Sequence, residues 1–147
     1  MYGDTAAMRK RAAERRAQAT HIRAMADRLG AQIDTSNWDG RAGAAMSARV
    51  RDRAGHLREC AAAHESAADS LDKHLWEVER LKDAISDIER KADSLIIDAR
   101  NRIAQIRAQE TSPGVVIDPT DEDRVLDQFE APKSGHKDWL TVNLPGL

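Results

Sequence analysis

The sequence predicts an all-α fold: an antiparallel helical hairpin with an extended, coiled-coil-like second helix, followed by a mostly irregular C-terminal tail. Three observations predict it. Charged residues make up 33% of the 147-residue chain and hydrophobic residues 41%, but aromatics only 3%. That suits long helices and a thin core better than a sheet. Apolar residues recur at steps of three and four in two separate stretches, the period of a helix that buries one face. Between them lies TSNWDGRAGAAM, Thr35 to Met46, polar and glycine-containing as a bend requires. The chain divides by pattern into a helical region, 1–110, and an acidic tail, 111–147.

The first helix is expected over about 5–34. Asp4 or Thr5 is a good N-cap ahead of an alanine-rich run. Met8, Ala12, Arg15, Ala19, Ile22, Ala26, Leu29 and Ile33 then form an a/d seam with one polar member, Arg15. Gly30 weakens the last turns. Asp34 to Asn37 ends the helix, because these side chains compete for backbone hydrogen bonds.

The second helix is expected to begin near Trp38 or Asp39, capped by Ser36 or Asn37. Val50, Leu57, His64, Leu71, Val78, Ile85, Ala92, Ala99 and Ile106 recur every seven residues. Met46, Ala54, Ala61, Ala68, Leu75, Leu81, Ile88, Leu95 and Ile103 fall between them. No Gly or Pro interrupts between Gly55 and Pro113. A continuous helix over 39–109 would be roughly 105 Å long at about 1.5 Å per residue. The first helix covers only half of that. The remainder must break near 67–74 and fold back, pair with another chain, or be covered by the tail. The unbroken phase favours a straight helix, so Val50, Leu57, Leu71, Trp76, Val78, Leu81, Ile85 and Ile88 are expected at an interface with a partner.

The tail begins at TSPG, where Pro113 cannot continue a helix. Short strands are conceivable at 115–117 (VVI) and 140–144 (LTVNL), and a short helix at about 120–129. The rest reads as extended or disordered. Trp139 is either a packing residue or part of a docking peptide.

Little here carries chemistry. His56, His64 and His74 are spaced by eight and ten residues, which does not stack two ligands on one helical face. His64, within the apolar phase, reads as a core or register residue. Cys60 is the only cysteine, so no intramolecular disulfide forms, and its alanine-rich setting suggests a buried structural thiol. There is no nucleophile elbow, phosphate loop or dinucleotide fingerprint. No catalytic residue, metal, cofactor or small-molecule substrate is expected.

The net charge of −2 conceals a polarity. Basic residues, mostly arginines, dominate from Thr5 to Arg58, acids dominate from Glu59 to Asp98, and the tail after Glu110 is acidic too. Nucleic acid is a poor fit, because the basic stretch holds one aromatic, Trp38, and that lies at the bend. No run is apolar and long enough to span a membrane, and the first residues lack the apolar core of a secretory signal.

Trp38 and Gly40 hold the bend in this reading. Ser36 or Asn37 caps, Gly40 lets the backbones approach, and the indole fills the end of the hairpin. A helix of about thirty residues, then Trp38-Asp39-Gly40, then an alanine-rich amphipathic helix with Gly43, Ala44 and Ala45, resembles the WXG (Trp-x-Gly, ESAT-like) proteins of type VII secretion. It also resembles the WxG-type hairpins that begin larger actinobacterial proteins. The resemblance covers about residues 5–85. It implies a non-enzymatic helical protein that pairs with another small helical chain, as a homo- or heterodimer. It further implies recognition by the secretion machinery through a surface including Trp38, and a secreted or cell-surface location reached without a cleaved signal. The family's Tyr-x-x-x-Asp/Glu export signal is missing: Tyr2 is the only tyrosine, and Ala6 stands four residues on. The expected role is therefore a substrate, co-secreted partner or adaptor whose companion carries that signal. The contrasting expectation is a cytoplasmic coiled-coil scaffold or homodimer unrelated to secretion.

Overall fold

A computed structural model describes residues 4–110, 114 and 116–147. It is all-helical: α1 spans Thr5–Thr35, α2 Gly40–Gln109 and α3 Asp121–Asp127, with a 3₁₀ turn at Lys137–Thr141. The Asp4 carboxylate caps α1, accepting from the Ala6 and Ala7 amides at 3.0 and 3.2 Å. α2 runs without interruption through 67–74, so the helix does not fold back there.

The bend is built differently from the sequence expectation. Ser36 closes α1 instead of opening α2: its hydroxyl donates to the Ile33 carbonyl at 2.8 Å, and its amide reaches the same oxygen at 3.2 Å. α2 starts at Gly40, later than Trp38 or Asp39. Gly40 has φ +84°, a backbone angle that side chains rarely tolerate. The close approach belongs to Gly43, where an added Cβ would lie 2.7 Å from the Trp38 carbonyl oxygen. Around Gly40 that space is open. The two glycines therefore have separate duties, one conformational and one steric.

Packing groups the chain into two units, one reaching to Val78 and the other spanning Glu79–Leu147. α2 contributes to both. In the first, the hairpin unit, α1 and α2 meet on an alanine seam. Ala12, Ala19, Ala26 and Ile33 are buried along α1, and Ala54, Ala61, Ala68 and Leu75 along α2. The spacing is seven on both helices, which holds a stripe on one face. A methyl group at most of these positions leaves little between the backbones.

Ion pairs along one side of the seam fix the antiparallel register. Arg16 reaches Asp69 at 2.8 Å and Asp72 at 2.6 Å. Arg23 pairs with Glu65, Arg58 with Asp27 at 3.1 Å and Arg51 with Asp34 at 4.0 Å. These side chains are 42–74% accessible. Exposed pairs of this kind specify alignment more than they stabilise.

The second, the clasp unit, corrects the expectation for the tail. Its residues do not remain extended and unpacked. Leu126, Trp139 and Leu144 pack with Ile85, Ala92, Ile96 and Ala99 of α2, with Ile88, Leu95, Phe129, Val142 and Leu147 around them. Trp139 is 1% exposed. Its indole N–H donates to the Lys133 carbonyl at 3.1 Å, so the one polar atom of the ring is satisfied on burial. The packing reading of Trp139 therefore holds. The expected helix near 120–129 is α3, capped by Thr120, whose hydroxyl accepts from the Asp123 amide at 3.2 Å. The expected strand at 140–144 is absent: the 3₁₀ turn ends at Thr141 and extended backbone follows. Residue 115 of the other expected strand lies outside the described residues, and Val116 and Ile117 form no regular element.

Ion pairs fasten the clasp as well. Arg102 grips Asp123 with Nε 3.1 Å from both carboxylate oxygens and a terminal nitrogen 2.6 Å from Oδ1. Arg100 reaches Asp127 at 3.3 Å, and Glu89 accepts the Gly135 amide at 3.1 Å. The Asp123 side chain is only 8% accessible. Its hydrogen bonds to Arg102 hold its pKa below the ordinary carboxylate value, against the opposing effect of burial.

Candidate partner-binding groove

The ion pairs occupy one side of the alanine seam. The other side carries a second stripe, again at a spacing of seven. On α1 it contains Met8, Arg15, Ile22 and Leu29, and on α2 Val50, Leu57, His64 and Leu71, with Val78 beyond. Stepping three residues forward from a seam position turns about 60° around the helix, so this stripe flanks the seam. At the register set by the ion pairs, the stripe forms rungs: Leu29 with Leu57, Ile22 with His64, Arg15 with Leu71 and Met8 with Val78. Apart from exposed Arg15 and buried Val78, its members are half-buried.

Successive hollows mark the stripe as a groove. Near the bend, a hollow of about 180 Å³ lies among Leu29, Gln32, Ile33, Ser36, Trp38 and Val50. The next, about 580 Å³, is lined by Leu29, Asp52, Arg53, His56 and Leu57. Arg15 and His64 share one of about 220 Å³ with Cys60, Ala63 and Ala67. Arg11, Glu14, Arg15, Gln18 and Leu71 line another of about 450 Å³. All four lie within the hairpin unit. None is an enclosed cleft; the hollows beside Val50, Leu57 and His64 are mainly apolar, and the one among Arg11, Arg15 and Leu71 is mainly polar.

The residues expected at a partner interface separate into three sets. Val50, Leu57 and Leu71 lie in the groove, and Val78 is buried at its end, 8% exposed. Trp76 is 66% exposed, but it follows seam residue Leu75 by one position. That places it toward the ion-pair side, away from the groove. Leu81, Ile85 and Ile88 belong to the clasp unit. There Ile85 is buried in a core shared with the tail and Ile88 packs against it. Those two are therefore covered by this chain itself, where a partner was expected.

Trp38 combines plug and surface. Its backbone presses on Gly43, its side chain borders the hollow beside Val50, and the residue is 53% exposed. Cys60 is exposed, contrary to its expected burial, because it lies on the rim one position before Ala61. The groove's basic members do not stand out as a set in the sequence. Arg11 and Arg53 each stand one position before a seam alanine, a repeat that the richer Leu and Val phase obscures.

Among the described residues there is no cluster of His, Cys, Asp or Glu that could hold a metal ion, and no helix is long and apolar enough to cross a membrane. No protein-family model, curated protein or solved structure matches this chain.

Proposed function

We propose that this chain is a non-enzymatic helical interaction protein that pairs with a second helical chain along the hairpin groove. The observation that carries the reading is the half-buried stripe of Met8, Ile22, Leu29, Val50, Leu57 and Leu71, left uncovered beside a seam that is already complete. A half-buried apolar stripe of this length on a protein surface is what a partner helix covers. The Trp-x-Gly bend supports the more specific reading, a WXG-like substrate, co-secreted partner or adaptor of type VII secretion. Gly40 and Gly43 build a tight turn that leaves Trp38 half-accessible for recognition.

Two experiments test it. Leu57→Asp and Leu71→Asp together are expected to abolish co-purification with the partner from the native host, while circular dichroism stays helical. Persistence of the complex would place the interface elsewhere. For export, Trp38→Ala is expected to remove the chain from the culture supernatant without lowering its level in cells. Equal export of the variant would sink the secretion reading and leave a scaffold.

A further inference from the structure

The floor and rim stripes of the groove are charged on one sign only, and the two carboxylates that line its hollows, Asp52 and Glu14, stand outside those stripes. Taking the floor stripe with the adjacent rim stripe, one position before each seam residue, the basic side chains are Arg11, Arg15, Arg53, His64 and His74, and there is no carboxylate. The acids of the hairpin lie elsewhere. Asp27, Asp34, Glu65, Asp69 and Asp72 are engaged in the ion-pair ladder on the opposite side. At the groove's outer edges, Asp52 is met by His56 at 3.5 Å and Glu14 by Lys10 at 4.0 Å. Arg15 donates to the Gln18 amide oxygen at 3.5 Å, and among the described residues no carboxylate pairs with Arg11, Arg15 or Arg53.

Resting on the pairing reading above, we infer that the groove's occupant is a different chain: an amphipathic helix whose apolar stripe is interrupted by a carboxylate opposite Arg15 and flanked by acids facing Arg11 and Arg53. Half-buried apolar residues at both ends, Leu29, Val50 and Leu57 at one and Met8 at the other, supply the area. The two middle rungs, each with one polar member, set the alignment, as a polar layer does in a coiled coil. A second copy fits poorly. A second copy would bring Arg11, Arg15 and Arg53 of its own, with no carboxylate on these stripes to answer them, and like charges in a drying interface disfavour the pairing. The chain already contains a smaller instance of the proposed chemistry: in the clasp, an apolar segment carrying Asp123 covers α2 and answers Arg102.

The test uses the full chain and two synthetic helices of about 28 residues, each about 42 Å long. Both carry a leucine stripe at heptad spacing, one with Glu and one with Lys at the central stripe position. Fluorescence anisotropy measures binding, and sedimentation reports the state of the chain alone. The Glu helix is expected to bind at least about tenfold more tightly than the Lys helix, with the preference reversed by Arg15→Glu. Equal binding of both helices would overturn the acidic-partner inference and leave the groove as a pairing surface. A homodimer dissolved by Leu57→Asp would also overturn it, since the occupant would be a second copy. No binding by either helix to a monomeric chain would remove both the inference and the pairing reading.

Discussion

The same line of α2 has two fates. Val50, Leu57, His64 and Leu71 continue at intervals of seven through Val78 into Ile85, Ala92 and Ala99. In the hairpin unit this line is half-exposed from Val50 to Leu71, because α1 lies on the neighbouring alanine stripe, and it closes at buried Val78. In the clasp unit it is core: Ile85 is 2% exposed, and Ala92 and Ala99 are fully buried under the tail. Heptad phase therefore states which residues can be buried but not what buries them. The chain covers the line with its own tail in one unit and leaves it available in the other.

The sharpest way to break this comparison is one substitution made at two places on the same line. Ile85→Asp places an unpaired carboxylate in a dry core and is expected to cost about 4–5 kcal/mol, enough to unfold the clasp. Leu57→Asp, at a half-open position near Arg53, is expected to cost about 1 kcal/mol or less in the isolated chain while eliminating pairing. Urea unfolding followed by circular dichroism compares the two. Similar losses would mean that Leu57 is as enclosed as Ile85 and that the groove is closed.

Next in size is Trp139→Ala. Removing the indole leaves a cavity among Leu126, Leu144 and Ile85, and a loss of about 3–5 kcal/mol is expected. Hydrogen exchange should show it as lost protection across α3 and the 3₁₀ turn, with the Ala19 and Ala61 amides unaffected. A uniform loss across both units would show that they unfold as one. Smaller again is Ala61→Leu, which overfills the seam and is expected to destabilise the hairpin by about 1–3 kcal/mol. An unchanged midpoint would mean that the helices are not in close contact there.

The two regions also differ in how readable they were. α1 and α2 were legible because helical periodicity repeats over many turns, and the bend because Ser36, Gly40 and Trp38 interrupt it. The choice of seam was not. Val and Leu outrank Ala in hydrophobicity, so the larger residues drew attention as interface, while close approach made Ala19, Ala26, Ala61 and Ala68 the most buried. The clasp was hardly legible at all. Leu126, Trp139 and Leu144 share no period, and LTVNL looks strand-like by composition. Its conformation follows from tertiary contacts with α2, many residues away in sequence, and local propensity yields to them. The Arg102–Asp123 pair has the same origin. The groove falls between these cases: its apolar rungs are visible as a phase, whereas its basic rim depends on the ion-pair ladder holding the acids on the other side of the seam.

The smallest expected effect, and the most specific to the clasp, is its dependence on pH through Asp123. The carboxylate's pKa is depressed in the folded chain, first by hydrogen bonding to Arg102, then by that residue's charge and the Thr120 hydroxyl. A depressed pKa means that the unfolded chain takes up the proton more readily. The stabilisation is therefore fully present above the ordinary carboxylate range, and it is lost as the pH falls below about 4 and through the lowered folded value. Asp123→Asn removes the titrating group but keeps its size. The difference in urea midpoint between the wild-type chain and this variant should be constant near about pH 6 and shrink as the solution is acidified below about pH 4. The clasp's hydrogen-exchange protection should converge in step. The alanine seam contains no ionisable group, so protection at Ala26 and Ala61 should not distinguish the two proteins at any pH. A wild-type advantage that persists undiminished in acid would show that Asp123 holds the clasp by shape and hydrogen bonding alone, without its charge.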